Sequence, residues 1–117
     1  MSAEARGFVL GGAVAAQADA GFILARKPGK LPRRVTSVEY QLEYGVDALE
    51  VHSDSVRGGA RVLVHDDLLA TGGTAAALCD LVERAGGVVA GCAFVIELAF
   101  LNGRERLRDH ELSLIHI

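Results

Sequence analysis

Two apolar runs with a helical pattern between them dominate the second half of the chain. The first run, "ARVLVHDD" (60–67), predicts a buried strand, and "VVAGCAFVIEL" (88–98) predicts another. Between them, "GTAAALCDLVERAGG" (73–87) contains strong helix formers and ends in a glycine pair, as helix C-termini often do. Continuous apolar strands joined by a helix pair in parallel. The unit therefore predicts an α/β fold with a doubly wound, mostly parallel sheet.

The rest of the chain predicts shorter elements around this unit. They are a helix over 7–20, a strand over 21–27, a loop over 28–34, two strand-like arms of a hairpin or extended loop within 36–52, a polar helical turn over 102–109 and an edge strand over 112–117. A length of 117 residues suffices for one domain, and a hydrophobic content of 50% supports a buried core. We therefore expect residues 1–117 to form a single α/β domain.

Charge and cysteine content narrow the class of protein. The net charge is −3 at pH 7, so nothing in the global charge recruits nucleic acid or an anionic membrane. Cys79 and Cys92 have no metal-like spacing and fall in apolar or helical patterns, which predicts two buried thiols in a reduced, cytoplasmic protein. No apolar run reaches the roughly 18 residues that a membrane-spanning helix needs.

Two acids and two glycines follow the first apolar run. In "RVLVHDDLLATGGT" (61–74), Asp66 and Asp67 precede Gly72 and Gly73. Glycines at a strand-to-helix junction leave backbone N–H groups open, and a helix N-terminus favours an anion such as a phosphate monoester. Aspartates can accept hydrogen bonds from neutral hydroxyls, so a sugar with a phosphate and a vicinal diol would suit both features. The alternative is a tight turn with solvated aspartates.

Several stretches resemble a known enzyme family. "VLVHDDLLATGGT" (62–74) resembles the phosphoribosyl-pyrophosphate (PRPP) motif of the type I phosphoribosyltransferases. "EARGF" (4–8), "RKPGKLP" (26–32) and "LEYG" (42–45) resemble the adenine phosphoribosyltransferase family in order and approximate spacing. The resemblance implies a cytoplasmic homodimer that acts in purine salvage. It also implies the reaction in which adenine and PRPP, carrying Mg²⁺, give AMP and pyrophosphate.

The resemblance also implies roles for individual residues. The 5′-phosphate would be held by Ala70, Thr71, Gly72, Gly73 and Thr74, and the pyrophosphate by Arg6, Arg26, Lys27 and Lys30. Asp66 and Asp67 would meet the ribose hydroxyls and stabilise positive charge at C1′. Glu43 would be the catalytic acid near the base. Leu68 would form a wall of the base pocket, or would simply pack in the core. No residue is expected to bind a metal directly, because Mg²⁺ would arrive with PRPP.

Other polar residues carry plainer expectations. Arg33 and Arg34 predict a solvated basic loop, and Glu39 and Glu50 are ordinary carboxylates against which Glu43 can be compared. His65 stands beside the aspartates, where a satisfied core histidine is favoured over a catalytic one. Glu97 ends an apolar strand, and its role stays open.

Both ends of the chain depart from the family pattern. Members of the family have a segment before "EARGF" that carries much of the base pocket, so we expect an N-terminally truncated fragment, which could be inactive. The last residues, "LSLIHI" (112–117), also resemble translated cloning sequence. Two rival functions stay open. One is a phosphoribosyltransferase for another purine, such as xanthine or hypoxanthine, and the other is a PRPP-binding regulatory or inactive module.

Overall fold

Three parallel strands form the main sheet of the computed structural model, which describes residues 1–41 and 44–116. The strands are β1 Ser2–Ala3, β2 Leu24–Ala25, β3 Val35–Gln41, β4 Val46–His52, β5 Arg61–Leu69, β6 Val88–Glu97 and β7 Leu112–His116. The helices are α1 Gly7–Gln17 and α2 Gly73–Arg84, with 3₁₀ turns at Ala99–Leu101 and Gly103–Leu107. The main sheet has the order β5–β6–β7, so the predicted parallel pairing is confirmed.

Strand β5 carries neighbours on both sides. On one side β6 runs parallel to it, and the pairing extends to Leu69 opposite Glu97. On the other side the N–H of His65 donates to the carbonyl oxygen of Met1 at 2.9 Å, which holds β1 along β5. Strand β2 then pairs in parallel with β1. The carboxyl ends of these strands therefore lie at one edge of the fold, where ligands of doubly wound sheets bind.

The predicted hairpin within 36–52 is confirmed. Strands β3 and β4 pair antiparallel, with Gln41 opposite Val46 at the tip and Val35 opposite His52 at the base. Two backbone hydrogen bonds between Arg26 and Glu50, of 2.9 and 2.8 Å, join this hairpin to the chain just after β2.

Two predicted elements are shorter than expected. The strand expected over 21–27 spans only Leu24–Ala25, opposite the two residues of β1, and Arg26 adds an isolated antiparallel bridge to Glu50. The helix expected over 7–20 ends at Gln17, and Asp19 takes a left-handed φ of 52°, which a helix does not continue through. The predicted edge strand is present as β7, beside β6.

Helix α2 packs the core against the main sheet and the hairpin. Leu78, Leu81 and Val82 are fully buried, and each such side chain stabilises the fold by about 1.5–3 kcal/mol. The helix ends where the sequence predicts, since Gly86 has a φ of 94° and its N–H donates to the carbonyl oxygen of Glu83. Among the described residues, no helix is long and apolar enough to span a bilayer.

The two cysteines lie in this core. Cys79 of α2 and Cys92 of β6 are buried and free, and their sulfur atoms are 3.6 Å apart. The prediction of two buried thiols is therefore confirmed.

Candidate functional site

The loop of residues 70–74 joins the end of β5 to the start of α2. Gly72 is buried and left-handed, with a φ of 84°, and it precedes the first residue of the helix. Its carbonyl oxygen accepts the N–H of Ala76 at 2.9 Å, which begins the helical ladder. The earlier N–H groups of the first turn have no partner within the helix, and that of Gly73 donates to Thr71 Oγ1 at 3.4 Å. Residues 70–74 line a cavity of about 120 Å³. This geometry suits a bound anion.

The two aspartates lie within β5, since the strand continues past them to Leu69. Asp66 and Asp67 are both half-buried, and an oxygen of Asp66 accepts the N–H of Asp67 at 2.8 Å. They line a second cavity of about 130 Å³, which shares Arg6, Asp66 and Thr74 with the loop cavity. The acids and the anion loop are therefore adjacent.

Burial raises the pKa of Asp66 to about 7, and the neighbouring Asp67 carboxylate adds to the rise.

Gly7, the first residue of α1, allows the helix to pack closely on the Asp66 carboxylate. A Cβ atom at Gly7 would lie 2.9 Å from a carboxylate oxygen of Asp66, so any side chain there would displace the acid. Sequence reasoning missed Gly7, although it stands inside "EARGF".

Two of the predicted pyrophosphate-binding cations, Arg6 and Lys27, line the acid cavity. Arg6 reaches Asp67 at 3.5 Å, and its side chain is 77% exposed. Lys27 lines the cavity and forms an ion pair with Asp47. Burial alone would lower the pKa of Lys27, but the hydrogen bond from its ammonium to Asp47 and the nearby Tyr40 outweigh it, so the pKa is raised.

Lys30 and Arg26 converge on one carboxylate that sequence reasoning did not select. Glu4 forms an ion pair with Lys30, lies 3.7 Å from Arg26 and accepts the N–H of Lys27 at 2.6 Å. The Lys30 ammonium, the Lys27 N–H and the other charges lower the pKa of Glu4, against the opposing effect of its burial. No spacing in the sequence could have found this contact, because it joins segments more than 20 residues apart.

The remaining predicted residues divide into three cases. Glu43 lies outside the described residues, next to the exposed Tyr44. Leu68 is half-buried and lines the loop cavity. His65 is buried as expected, but its Nε2 atom has no hydrogen-bond partner among the described residues, so it is not fully satisfied. Burial lowers the pKa of His65.

The expected basic loop is confirmed at Arg33 and Arg34. Both residues are exposed, and Arg33 pairs at 3.1 Å with the equally exposed Asp54. Neither lines the cavities at the acids or at the 70–74 loop, which agrees with a solvated face.

Sequence reasoning also missed the segment that follows β6. The question left open at Glu97 is answered there, since this buried carboxylate accepts a hydrogen bond from Arg104 Nε at 2.6 Å. Gly103 packs directly on the 70–74 loop. The rule that carboxyl ends of neighbouring parallel strands meet could have drawn attention to residues 98–107.

The arrangement can bind an anion and an adjacent polyol. The loop offers N–H groups at a helix N-terminus, and Asp66 and Asp67 offer hydrogen-bond acceptors next to it. Arg6 and Lys27 supply positive charge at the cavity of the acids, and Arg6 also lines the loop cavity.

Comparisons with known proteins agree with this geometry. The family model described as the phosphoribosyl transferase domain matches residues 1–115. An adenine phosphoribosyltransferase of Rubrobacter xylanophilus is 67% identical over 107 residues, which cover 92% of this chain and 58% of the relative. One of Chloroflexus aurantiacus is 61% identical over 113 residues, covering 96% of this chain and 65% of the relative.

Solved structures give the same picture. The adenine phosphoribosyltransferase of Thermoanaerobacter pseudethanolicus is similar with a TM-score of 0.95 and 49% identity, over 98% of this chain and 67% of that one. The enzyme of Saccharomyces cerevisiae, solved in complex with an imino-altritol bisphosphate and adenine, has a TM-score of 0.93 and 38% identity, over 97% of this chain and 64% of that one. The chain spans about three fifths of the length of its curated relatives. The match of the family model, together with these likenesses, means that the chain belongs to the phosphoribosyl transferase domain family.

Proposed function

We propose that the chain carries the PRPP-binding part of an adenine phosphoribosyltransferase. In the reaction, the bond from C1′ of PRPP to pyrophosphate breaks, a ring nitrogen of adenine bonds to C1′, and the purine ring loses one proton, giving AMP and pyrophosphate. The observation that carries the proposal is the adjacency of the 70–74 loop and the two aspartates, because PRPP presents a 5′-phosphate and a ribose diol close together. Adenine as the base is taken from the names of the relatives.

Each part of PRPP finds a partner of suitable chemistry in this proposal. The 5′-phosphate binds to the loop of Ala70, Thr71, Gly72, Gly73 and Thr74. Asp66 and Asp67 accept hydrogen bonds from the ribose hydroxyls, and their negative charge stabilises the positive charge that builds up at C1′. Leu68, which lines the loop cavity, forms part of the pocket for the base.

The leaving pyrophosphate is negatively charged and needs cations. Arg6 and Lys27 are nearest to the acid cavity, and Lys30 and Arg26 lie behind them at Glu4. Mg²⁺ enters as part of the substrate, bound to the pyrophosphate group of PRPP.

Formation of AMP tests the proposal directly. The purified chain would be mixed with adenine, PRPP and Mg²⁺, and AMP would be measured by chromatography. We expect AMP above a control without protein, and hypoxanthine and xanthine should compete poorly with adenine. Binding of PRPP without any AMP would mean that the chain is either an incomplete enzyme or the rival function, a PRPP-binding module. Absence of both would contradict the proposal.

Glu43 is proposed as the acid that moves a proton at the purine ring. We expect Glu43→Ala to lower turnover about 100-fold or more and to change PRPP affinity little, because general acid–base groups contribute about 10²–10⁴ in rate. The matched control is Glu39→Ala, an exposed carboxylate on β3. Equal losses of turnover in the two variants would remove Glu43 from the mechanism.

Cytoplasmic location and homodimer formation also belong to the proposal. Both are taken from the resemblance to the family. Analytical ultracentrifugation of the purified chain across a concentration series checks the second, and a single species at the monomer mass would contradict it.

A further inference from the structure

The segment between β6 and β7 packs directly against the 70–74 loop. Its first residue, Leu98, donates its N–H to the carbonyl oxygen of Leu69 at 2.9 Å, just before the loop begins. A Cβ atom at Gly103 would collide with the carbonyl oxygen of Ala70 and would lie 3.0 Å from the backbone nitrogen of Gly72. The two backbones therefore touch, and only a glycine at position 103 permits this contact.

An ion pair between a buried carboxylate and a half-exposed arginine fixes the shape of this segment. Glu97, at the end of β6, is 4% exposed, and its carboxylate accepts a hydrogen bond from Arg104 Nε at 2.6 Å. A buried charge is strongly destabilising when it loses its partner, so the turn that brings Arg104 back to Glu97 is closely determined. The same 3₁₀ turn, Gly103–Leu107, brings Arg106 close to Gly72 and Gly73 of the loop.

Arg106 is the cation that this turn brings to the loop. Its Cβ lies 3.3 Å from the position that a Cβ atom on Gly72 would occupy. Its Nη1 atom lies 3.7 Å from the corresponding position on Gly73. The side chain is exposed, and no ion pair within residues 1–41 and 44–116 includes it, whereas the neighbouring Arg104 and Arg108 are both paired.

We propose that Arg106 binds the phosphate monoester held by the 70–74 loop, a contact that rests on the function proposed above. A phosphate dianion carries more charge than N–H groups and threonine hydroxyls alone neutralise. A guanidinium presents donors in a planar fork that matches two phosphate oxygens. Arg106 supplies this group from a neighbouring strand connection, so the phosphate is held between two segments of the chain. No acidic side chain in the first turn of α2 competes for it.

Binding of two simple ligands tests this assignment. Ribose 5-phosphate probes the 70–74 loop, and inorganic pyrophosphate probes the cations Arg6 and Lys27 near the aspartates. Calorimetry on the whole chain measures both dissociation constants. We expect Arg106→Gln to weaken ribose 5-phosphate binding about tenfold or more, in the range of a lost charge-assisted hydrogen bond. Pyrophosphate affinity and Tm should stay unchanged. Arg106→Lys should restore part of the affinity, because it keeps the charge but not the fork.

Arg108→Gln is the matched control, since Arg108 is exposed and pairs with Glu105 in the same segment. Its affinity for ribose 5-phosphate should equal that of the wild type. If wild type and Arg106→Gln bind ribose 5-phosphate equally well, the assignment of Arg106 is wrong while the proposed function stands. If Arg106→Gln weakens both ligands and lowers Tm, its role is structural and the assignment is again wrong. Failure of the wild-type chain to bind ribose 5-phosphate would overturn the proposed function itself.

Discussion

The Gly72→Ala variant is expected to unfold at a lower temperature and to bind PRPP at least tenfold more weakly than the wild-type chain. Two separate penalties act at this position. Gly72 has a left-handed φ of 84°, which costs an alanine about 1–2 kcal/mol. In addition, its Cβ would lie 2.6 Å from the carbonyl oxygen of Gly103, and relief of such an overlap shifts the backbone at a cost of about 1–3 kcal/mol.

The position of the overlap explains the effect on binding. The colliding groups are the backbone of the phosphate loop, meaning residues 70–74, and the backbone of the segment that packs on it. Displacing either one moves the N–H groups that would face the 5′-phosphate. A shift of about 1 Å can cost as much as 100-fold in a positioned site.

Two other glycine variants separate the backbone penalty from the steric penalty. Gly59→Ala carries only the backbone penalty, since its φ is 75° and a Cβ there would meet nothing within 4 Å. Gly73→Ala carries neither, because its φ is not left-handed and its nearest contact would be an ordinary 3.6 Å. Tm should be highest for Gly73→Ala, lower for Gly59→Ala and lowest for Gly72→Ala. Circular dichroism during thermal unfolding measures these values. Equal Tm values for the Gly59 and Gly72 variants would show that the contact with Gly103 does not matter.

PRPP binding is expected to weaken about tenfold between pH 8 and pH 6, through Asp66. Burial and the neighbouring Asp67 raise the pKa of Asp66 to about 7 in the ligand-free chain. Hydroxyl groups of the ribose form stronger hydrogen bonds with a carboxylate than with a neutral acid, so binding favours the charged form and lowers the pKa. Below pH 7 the ligand must therefore displace a proton, and affinity falls by about a factor of ten per pH unit.

Calorimetry in buffers of different ionisation enthalpy measures the proton directly. At pH 7 we expect binding to release about half a proton from Asp66, because the group is about half protonated at its pKa. Asp66→Asn is the control, since it removes this proton and leaves those that belong to the phosphates of PRPP. If the wild type and the variant release the same number of protons, Asp66 does not face the ligand.

The raised pKa has an opposite consequence for the ligand-free fold. An acid whose pKa is higher in the folded state than its ordinary value of 3.8 favours folding most at low pH. The contribution is lost as pH rises from about 4 to about 7. At neutral pH the burial of Asp66 therefore lowers the stability of the folded state, as is common for groups placed for function.

The main sheet and the candidate site could be predicted from the sequence because their signals are local. The apolar strands β5 and β6 and the helix formers of α2 specify a parallel unit within about 40 residues, and the site residues of its first half follow one another in 66–74. The glycine pair at 86–87 marked the end of α2 in the same way.

The remainder depends on contacts between distant segments. Glu4 meets Lys27 and Lys30 only because β1 and β2 pair, and two-residue strands carry no periodicity that a sequence could reveal. Gly103 and Arg106 meet the phosphate loop through the register of β5 and β6. In the sequence, each of these residues is an ordinary member of a polar turn. Only the pairing of the strands brings it into contact with the loop.

The carboxylates of Glu4 and Asp47 act as built-in counter-ions for the proposed pyrophosphate site. Lys30 and Lys27 are already neutralised in the ligand-free chain, so an incoming pyrophosphate group exchanges one anionic partner for another. The ion pairs hold Lys27 and Lys30 in place before binding. The exchange of partners limits the gain in affinity from each cation. It also makes the site selective for polyvalent anions, since a monovalent ion such as chloride cannot compete with a carboxylate that is tethered beside the lysine.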